Sequence, residues 1–203
     1  MEKIIMVFIL AYLIGSLVPG YWIGKLFFHK DIRNEGSGNI GTTNAFRILG
    51  PVAGCFVLAF DILKGAFAGM LPAIFGLDIN VMWVGLFAIL GHTFSIWIGF
   101  KGGKAVATSA GVLSVYNGPL FWMVCAVFVS CLILFSMVSV ASMVGFSFAT
   151  VMSVFYYHDL VLSIIAIVLT VFVFYRHRQN IGRILSGKES TIPFGLVYWL
   201  KKS

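Results

Sequence analysis

The residues of this sequence that can do chemistry are gathered in three polar, glycine-studded segments. These are EGSGNIGTTNAFR (Glu35 to Arg47), GHTFSIWIGFKGGKAVAT (Gly91 to Thr108) and HRQNIGRILSGKE (His177 to Glu189). In the first, glycines admit backbone conformations closed to other residues and let N–H groups approach a ligand. Ser37, Asn39, Thr43, Asn44 and Arg47 add polar side chains to that backbone. Gly36, Gly38 and Gly41 formally satisfy G-x-G-x-x-G, but a dinucleotide site needs a preceding strand and a βαβ unit, and here a long apolar run comes first. The spacing predicts a short helix through Asn44 to Leu49, capped by Thr42 or Thr43 and carrying Arg47. A flexible loop of turn formers is the plainer alternative.

The second segment holds Lys101-Gly102-Gly103-Lys104 at the start of an apolar run. A helix N-terminus presents unpaired N–H groups and partial positive charge, so it favours anions, and Lys104 adds a full charge there. It is not a phosphate loop of the G-x-x-x-x-G-K-[ST] kind, because the spacing fails and Ala105 stands where a magnesium-binding hydroxyl should be. Taken alone, two lysines at a membrane edge are as well explained by topological anchoring. In the third segment His177 and Asn180 are three apart and share a helical face, while Arg176, Asn180 and Arg183 follow at i, i+4, i+7. An imidazole beside arginines tends to be neutral, suited to hydrogen bonding or proton transfer. A solvated helix binding acidic headgroups is the alternative.

Other polar residues lie within apolar runs. His92 at membrane depth is either a functional group or a structural hydrogen-bonding one. Asp61 and Lys64, three apart, are expected to pair and lock helices together. Ser139 and Ser142 either join the site or let helices approach closely. His29 and His158 read as interfacial residues. No H-E-x-x-H occurs, and Cys55, Cys125 and Cys131 lack ligand spacing and read as buried free thiols. No metal and no other cofactor is expected.

The elements that must position these residues follow from composition. The chain has 203 residues, 60% of them hydrophobic and 10% charged, with a formal net charge of +7. That charged fraction is far below the roughly 25% of soluble domains, so the chain reads as one all-α polytopic membrane domain, 1–203. Its positive balance is absorbed by the positive-inside rule, and without a long Lys/Arg run nucleic-acid binding is not expected. The first apolar stretch is longer than a signal-peptide core and lacks a positive excess before it, so it reads as a retained helix. Seven spans are predicted: 4–25, 52–75, 81–99, 104–118, 119–138, 141–157 and 160–175. The turn signal Asn117-Gly118-Pro119 separates the fourth from the fifth, and the Ser136–Ser142 stretch separates the fifth from the sixth.

Seven spans bring 26–51, 100–103 and 176–203 to one face, leaving only Lys3 on the other and Lys64 inside a span. That imbalance makes the basic face cytoplasmic, with the N-terminus outside and the C-terminus cytoplasmic. Six spans, the alternative, would export either the basic tail or the basic loops. No internal repeat suggests a transporter of inverted halves.

At its three polar segments the chain resembles the bacterial acyl-phosphate:glycerol-3-phosphate acyltransferase family. The residues that carry the resemblance are GSGNIGTTN at Gly36–Asn44, GHTFSIWIGFKGGKAVAT at Gly91–Thr108 and HRQNIGRILSGKE at His177–Glu189. Order, spacing and total length agree. Thr42 stands where the family has a small Ala, and Ser95 where it has Pro, which removes the proline reason for a kink in the third span. The H-x-x-x-x-D signature of the other large glycerol-phosphate acyltransferase group is missing after all four histidines.

The resemblance implies acyl transfer from acyl phosphate to the 1-hydroxyl of glycerol 3-phosphate at the bacterial inner (cytoplasmic) membrane. The products would be lysophosphatidate and inorganic phosphate, in the first acylation of phospholipid synthesis. The expected partners are these two substrates, the lipid bilayer and the soluble enzyme that makes acyl phosphate. Ser37, Arg47 and Lys104 would clamp phosphate. Gly38 and Asn39 N–H groups would support the oxyanion. His177 and Asn180 would position substrate, with His177 or the substrate's own phosphate accepting the proton. Thr43, Asn44, Lys101, Gly102, Gly103, Ser142 and Arg183 are expected around the phosphates. Glu189, His92, Asp61 and Lys64 are expected to be structural, Glu189 pairing with an arginine.

Overall fold

The computed structural model describes residues 1–202, and every regular element among them is helical. The chain forms two compact units, the first Met1–Asn117 and the second beginning at Gly118.

In the first unit, α1 (Glu2–Ser16) and α2 (Pro19–Phe27) take the place of one predicted span and meet at an angle of 42°. Pro19 causes the break: it lacks an N–H to continue the ladder and keeps Val18, at φ −123° and ψ 71°, out of the helical region. α3 (Thr42–Leu49) leads through Gly50 into α4 (Pro51–Ile74). Gly41, and neither threonine, is the N-cap of α3. α5 (Val81–Thr93) starts where Asn80 Oδ1 accepts the Met82 N–H at 2.8 Å. A short 3-10 turn at Ile96–Ile98 follows, then α6 (Val106–Tyr116).

Buried apolar clusters hold this unit. Val7, Ala11, Ala68, Leu71, Val84 and Ala88 join α1, α4 and α5. Ile40 and Ala45 of the first polar segment, with Ile32 and Leu49 on either side of it, share the other cluster with Val18, Ala53, Val57 and Ile98.

The second unit comprises α7 (Gly118–Phe135), α8 (Val138–Phe155), α9 (Leu160–Arg176), α10 (Arg178–Leu185) and α11 (Leu196–Lys202). Asp159 caps α9 through Leu162 N–H at 2.9 Å. α7 buries Leu120 and Cys131 and exposes Trp122, Val129, Ile133 and Leu134, an apolar surface suited to lipid. Ser136, at φ 57°, makes the turn between α7 and α8.

Among the described residues, four segments are long and apolar enough to cross a bilayer, and up to six if each bent pair is one crossing. The predicted fourth span, 104–118, corresponds only to the 11 residues of α6. At 1.5 Å per residue that is about 16 Å, half of a hydrocarbon core about 30 Å thick. The last span does not run straight into the third polar segment: α9 and α10 diverge by 58° at His177. The cysteines are free, but Cys55 is exposed and Cys125 half-buried, so only Cys131 is the buried thiol expected of all three.

Candidate active site

The first polar segment is a shaped loop held from within. Asn44, 1% exposed, donates through Nδ2 to Ile32 O at 2.9 Å and Glu35 O at 3.1 Å, while its Oδ1 accepts the Ser37 N–H at 2.9 Å. Gly38 N–H donates to Glu35 O, and Asn39 Oδ1 accepts the Gly41 N–H at 3.0 Å. Gly36 and Gly38 have φ of 61° and 69°, and a Cβ at Gly36 would overlap Asn44 Oδ1. The glycines therefore serve the shape of the loop. The N–H of Gly38 is committed to a turn instead of waiting for an oxyanion, and Asn44 is the loop's internal brace.

What the loop leaves exposed are Ser37, Thr43 and Arg47. Its rim is stiffened by Arg33, which reaches Asp31 at 2.9 and 2.6 Å and lies over the Tyr21 ring. The Arg33 guanidinium hydrogen-bonded to Asp31 lowers that carboxyl to about 2.

The second segment turns back on the end of α5. Gly102 N–H donates to Thr93 O at 2.8 Å and Gly103 N–H to His92 O at 3.1 Å. A Cβ at Gly103 would overlap His92 Nε2, and one at Gly102 would overlap His92 O, so only glycine permits this approach. These two N–H groups are thus bonded within the protein, and the anion-ready features of the segment reduce to Lys101, exposed, and Lys104, half-buried. Phe100 and Ala105 flank the turn with φ of 60°, left-handed for residues with a Cβ, which costs about 1–2 kcal/mol each. Backbone strain of this kind collects at functional sites.

Beneath this turn lies a buried ionic cluster. Lys64 Nζ is 2.7 Å from Asp61 Oδ1, 2.7 Å from Leu17 O and 2.8 Å from His92 Nδ1. The expected Asp61–Lys64 pair is present, and it also ties α4 to α5 and to the carbonyl freed where α1 breaks. Ser95, the departure from the family's proline, donates to Ser16 O at 2.6 Å, and Trp97 Nε1 donates to Ser16 Oγ at 3.0 Å. Tyr12 OH donates to Phe94 O at 2.7 Å. The turn after α5 is held by these bonds without a proline.

In the second unit, Glu189 organises the third segment. Its Oε1 accepts from Ser139 Oγ at 2.7 Å and Asn180 Nδ2 at 2.6 Å, and its Oε2 accepts from Arg183 Nε at 2.7 Å. Burial raises the Glu189 carboxyl, but the bonds from Asn180, Ser139 and Arg183 outweigh it and hold it below the usual range. His177 is buried at the α9–α10 bend, and Nδ1–H donates to Val173 O at 2.8 Å. In the neutral ring this leaves the lone pair on Nε2. Ser142 Oγ donates to Val138 O of its own helix at 2.8 Å.

The first two segments therefore fold in one unit and share a core, while His177, Asn180, Arg183, Ser139 and Glu189 form the polar cluster of the other. Sequence reading missed the committed loop N–H groups and the link between His92 and Gly103. The adjacent glycines facing His92 were the only available signal.

Comparison with known proteins agrees with this architecture. Residues 5–187 match the family described as glycerol-3-phosphate acyltransferase. The chain is 55% identical over 196 residues to the glycerol-3-phosphate acyltransferase of Lactiplantibacillus plantarum, covering 96% of this chain and 94% of that protein. It is 55% identical over 202 residues to that of Limosilactobacillus reuteri, covering 98% and 96%. Among solved structures it is similar to the crystal structure of PlsY (YgiH), an integral membrane glycerol 3-phosphate acyltransferase, in the glycerol 3-phosphate form. The TM-score is 0.86 at 36% identity, over 93% of this chain and 94% of that one. The lysophosphatidic acid form gives a TM-score of 0.82 at 34% identity, with the same coverage. With a family match across most of its length and full-length relatives above half identity, this integral membrane chain belongs to the glycerol-3-phosphate acyltransferase family.

Proposed function

We propose that the protein acylates the 1-hydroxyl of glycerol 3-phosphate with acyl phosphate as donor, releasing lysophosphatidate and inorganic phosphate. The observation that carries the acceptor is the likeness, at a TM-score of 0.86, to a relative solved in its glycerol 3-phosphate form. The donor is supported by the resemblance of the three polar segments to acyl-phosphate-dependent enzymes.

Acyl phosphate is a mixed anhydride with a good leaving group, so no acyl-enzyme is required. The glycerol oxygen attacks the acyl carbon, the carbon–oxygen bond to phosphorus breaks, and the hydroxyl proton passes to His177 Nε2 or to the departing phosphate. Proximity and charge screening supply the rate. Ser37, Arg47 and Lys104 are assigned to phosphate, with Thr43 and Lys101 beside them. Asn180, oriented by Glu189, and His177 are assigned to substrate positioning. Gly36, Gly38, Asn39, Asn44, Gly102 and Gly103 are assigned to holding the loops in shape, and for all but Gly36 this replaces the direct substrate contacts expected of them.

We retain seven crossings with the N-terminus outside, with α6 as the fourth. The site then faces the cytoplasm of a bacterial inner membrane, within reach of a soluble enzyme supplying acyl phosphate. The positive-inside imbalance supports this parity. A membrane-impermeant thiol reagent applied to intact cells should spare a single cysteine placed in the 186–190 loop; labelling there refutes the topology.

The deciding assay gives purified protein acyl phosphate and glycerol 3-phosphate without acyl-CoA. Lysophosphatidate should form, and its absence refutes the donor assignment. A labelled acyl group trapped on Ser37 would overturn direct transfer.

A further inference from the structure

We infer that His92 is a positioning residue for Lys104, fixing the course of the turn that carries both lysines of the second segment. The inference rests on the reading that Lys104 binds substrate phosphate. Lysine is a donor only, and the ammonium of Lys64 has three N–H bonds. Its Nζ hydrogen-bonds to Leu17 O at 2.7 Å and His92 Nδ1 at 2.8 Å and forms an ion pair with Asp61 Oδ1 at 2.7 Å, an oxygen that also lies 3.5 Å from Nδ1. Nδ1 of His92 therefore accepts, and the neutral imidazole carries its proton on Nε2.

That Nε2 edge is the one facing Gly103, so closely that no Cβ fits between them. The same residue holds Gly103 a second time, because His92 O accepts the Gly103 N–H at 3.1 Å. His92 is 4% exposed and Lys64 4%, so neither imidazole nor ammonium turns away into water. A ring whose one nitrogen is locked by a buried ammonium can present only its other edge to the turn. The Asp61–Lys64 pair thereby sets the orientation of the surface on which Gly102 and Gly103 rest, one residue before Lys104.

Two substitutions separate the edges. His92→Asn keeps an acceptor near the Nδ1 position for Lys64 and removes the Nε2 edge. His92→Gln places an amide near Nε2 and gives up the Nδ1 contact. If His92 positions the turn, Asn should retain the wild-type thermal midpoint while the KM for glycerol 3-phosphate rises by about tenfold with kcat little changed. Gln should recover most of that KM while lowering the thermal midpoint.

Reaction of a Lys104→Cys reporter with a water-soluble thiol reagent reads the turn without activity. Its rate should change in the His92→Asn background and return toward that of the reporter alone with Gln. Equal losses of thermal midpoint in both variants, with KM and reporter rate unmoved, overturn the inference. Near-normal kcat/KM in Lys104→Ala refutes the phosphate role of Lys104 instead, and the reporter rate then decides whether His92 still sets the turn.

Discussion

The brace at Asn44 offers a demanding test of how the first segment works. Its amide makes three bonds inside the loop, at 2.9, 3.1 and 2.9 Å, from a side chain that is almost fully enclosed. Removing them in Asn44→Ala forfeits about 1 kcal/mol each, so the ordered loop loses about 3 kcal/mol relative to its open forms. That is roughly a 100-fold shift in the local equilibrium. Asn44→Asp is nearly isosteric and separates the brace from a ligand contact. One oxygen still accepts the Ser37 N–H, but the other faces Ile32 O and Glu35 O where the wild type presents donors. Repulsion replaces two bonds, and Asp should be at least as damaging as Ala.

The assay pairs thermal unfolding in detergent with steady-state kcat/KM for glycerol 3-phosphate. Both variants should lose thermal midpoint and activity together, and acidification toward pH 4 should narrow the Asp defect, since a protonated acid regains one donor. An Asp variant indistinguishable from wild type refutes the reasoning. So does an Ala variant with an unmoved thermal midpoint and only a raised KM, which would make Asn44 a substrate contact.

Glu189 is held below the ordinary carboxylate range, so its contribution is complete above about pH 4.3 and is lost as pH falls through the lower folded value. Limited proteolysis of the tail should accelerate in that acidic window, and Glu189→Gln should flatten the dependence. Thr42 Oγ1 is buried without a hydrogen-bond partner. Thr42→Val keeps the shape, and the thermal midpoint should rise by the equivalent of about 1 kcal/mol, measured in the same detergent. Ser95→Ala should cost about 1–3 kcal/mol by orphaning the carbonyl of Ser16. Ser95→Pro fits the observed φ of −70° and should recover part of that through a less flexible unfolded chain. A Pro variant less stable than Ala would refute this account of the turn.

Much of the fold was legible because a membrane leaves few choices: backbone polar groups must be satisfied within each apolar segment, so hydrophobic runs become helices. Thus α4, α7, α8 and α9 lie close to their predicted limits and Asn117-Gly118-Pro119 marks a break between helices, while of the expected Ser136–Ser142 turn only Ser136 and Met137 lie outside α7 and α8. The breaks were less legible. The predicted span 4–25 ran through the break at Pro19, and the α9–α10 bend at His177 and the shortness of α6 were equally unread.

The sequence alone determined the family and the all-helical membrane class, because three long motifs in fixed order are specific and apolar composition admits little else. Only the tertiary structure decided what each polar group touches. Gly102 and Gly103 looked like anion-binding backbone, yet their N–H groups answer carbonyls at the end of α5. Asn44 looked like a ligand contact and is a brace, while Lys64 looked like half of an ion pair and also satisfies a carbonyl 47 residues away. A donor in a sequence is only a capacity to bond. Folding brings up the acceptor, and in a dry interior each donor so matched is withdrawn from other chemistry.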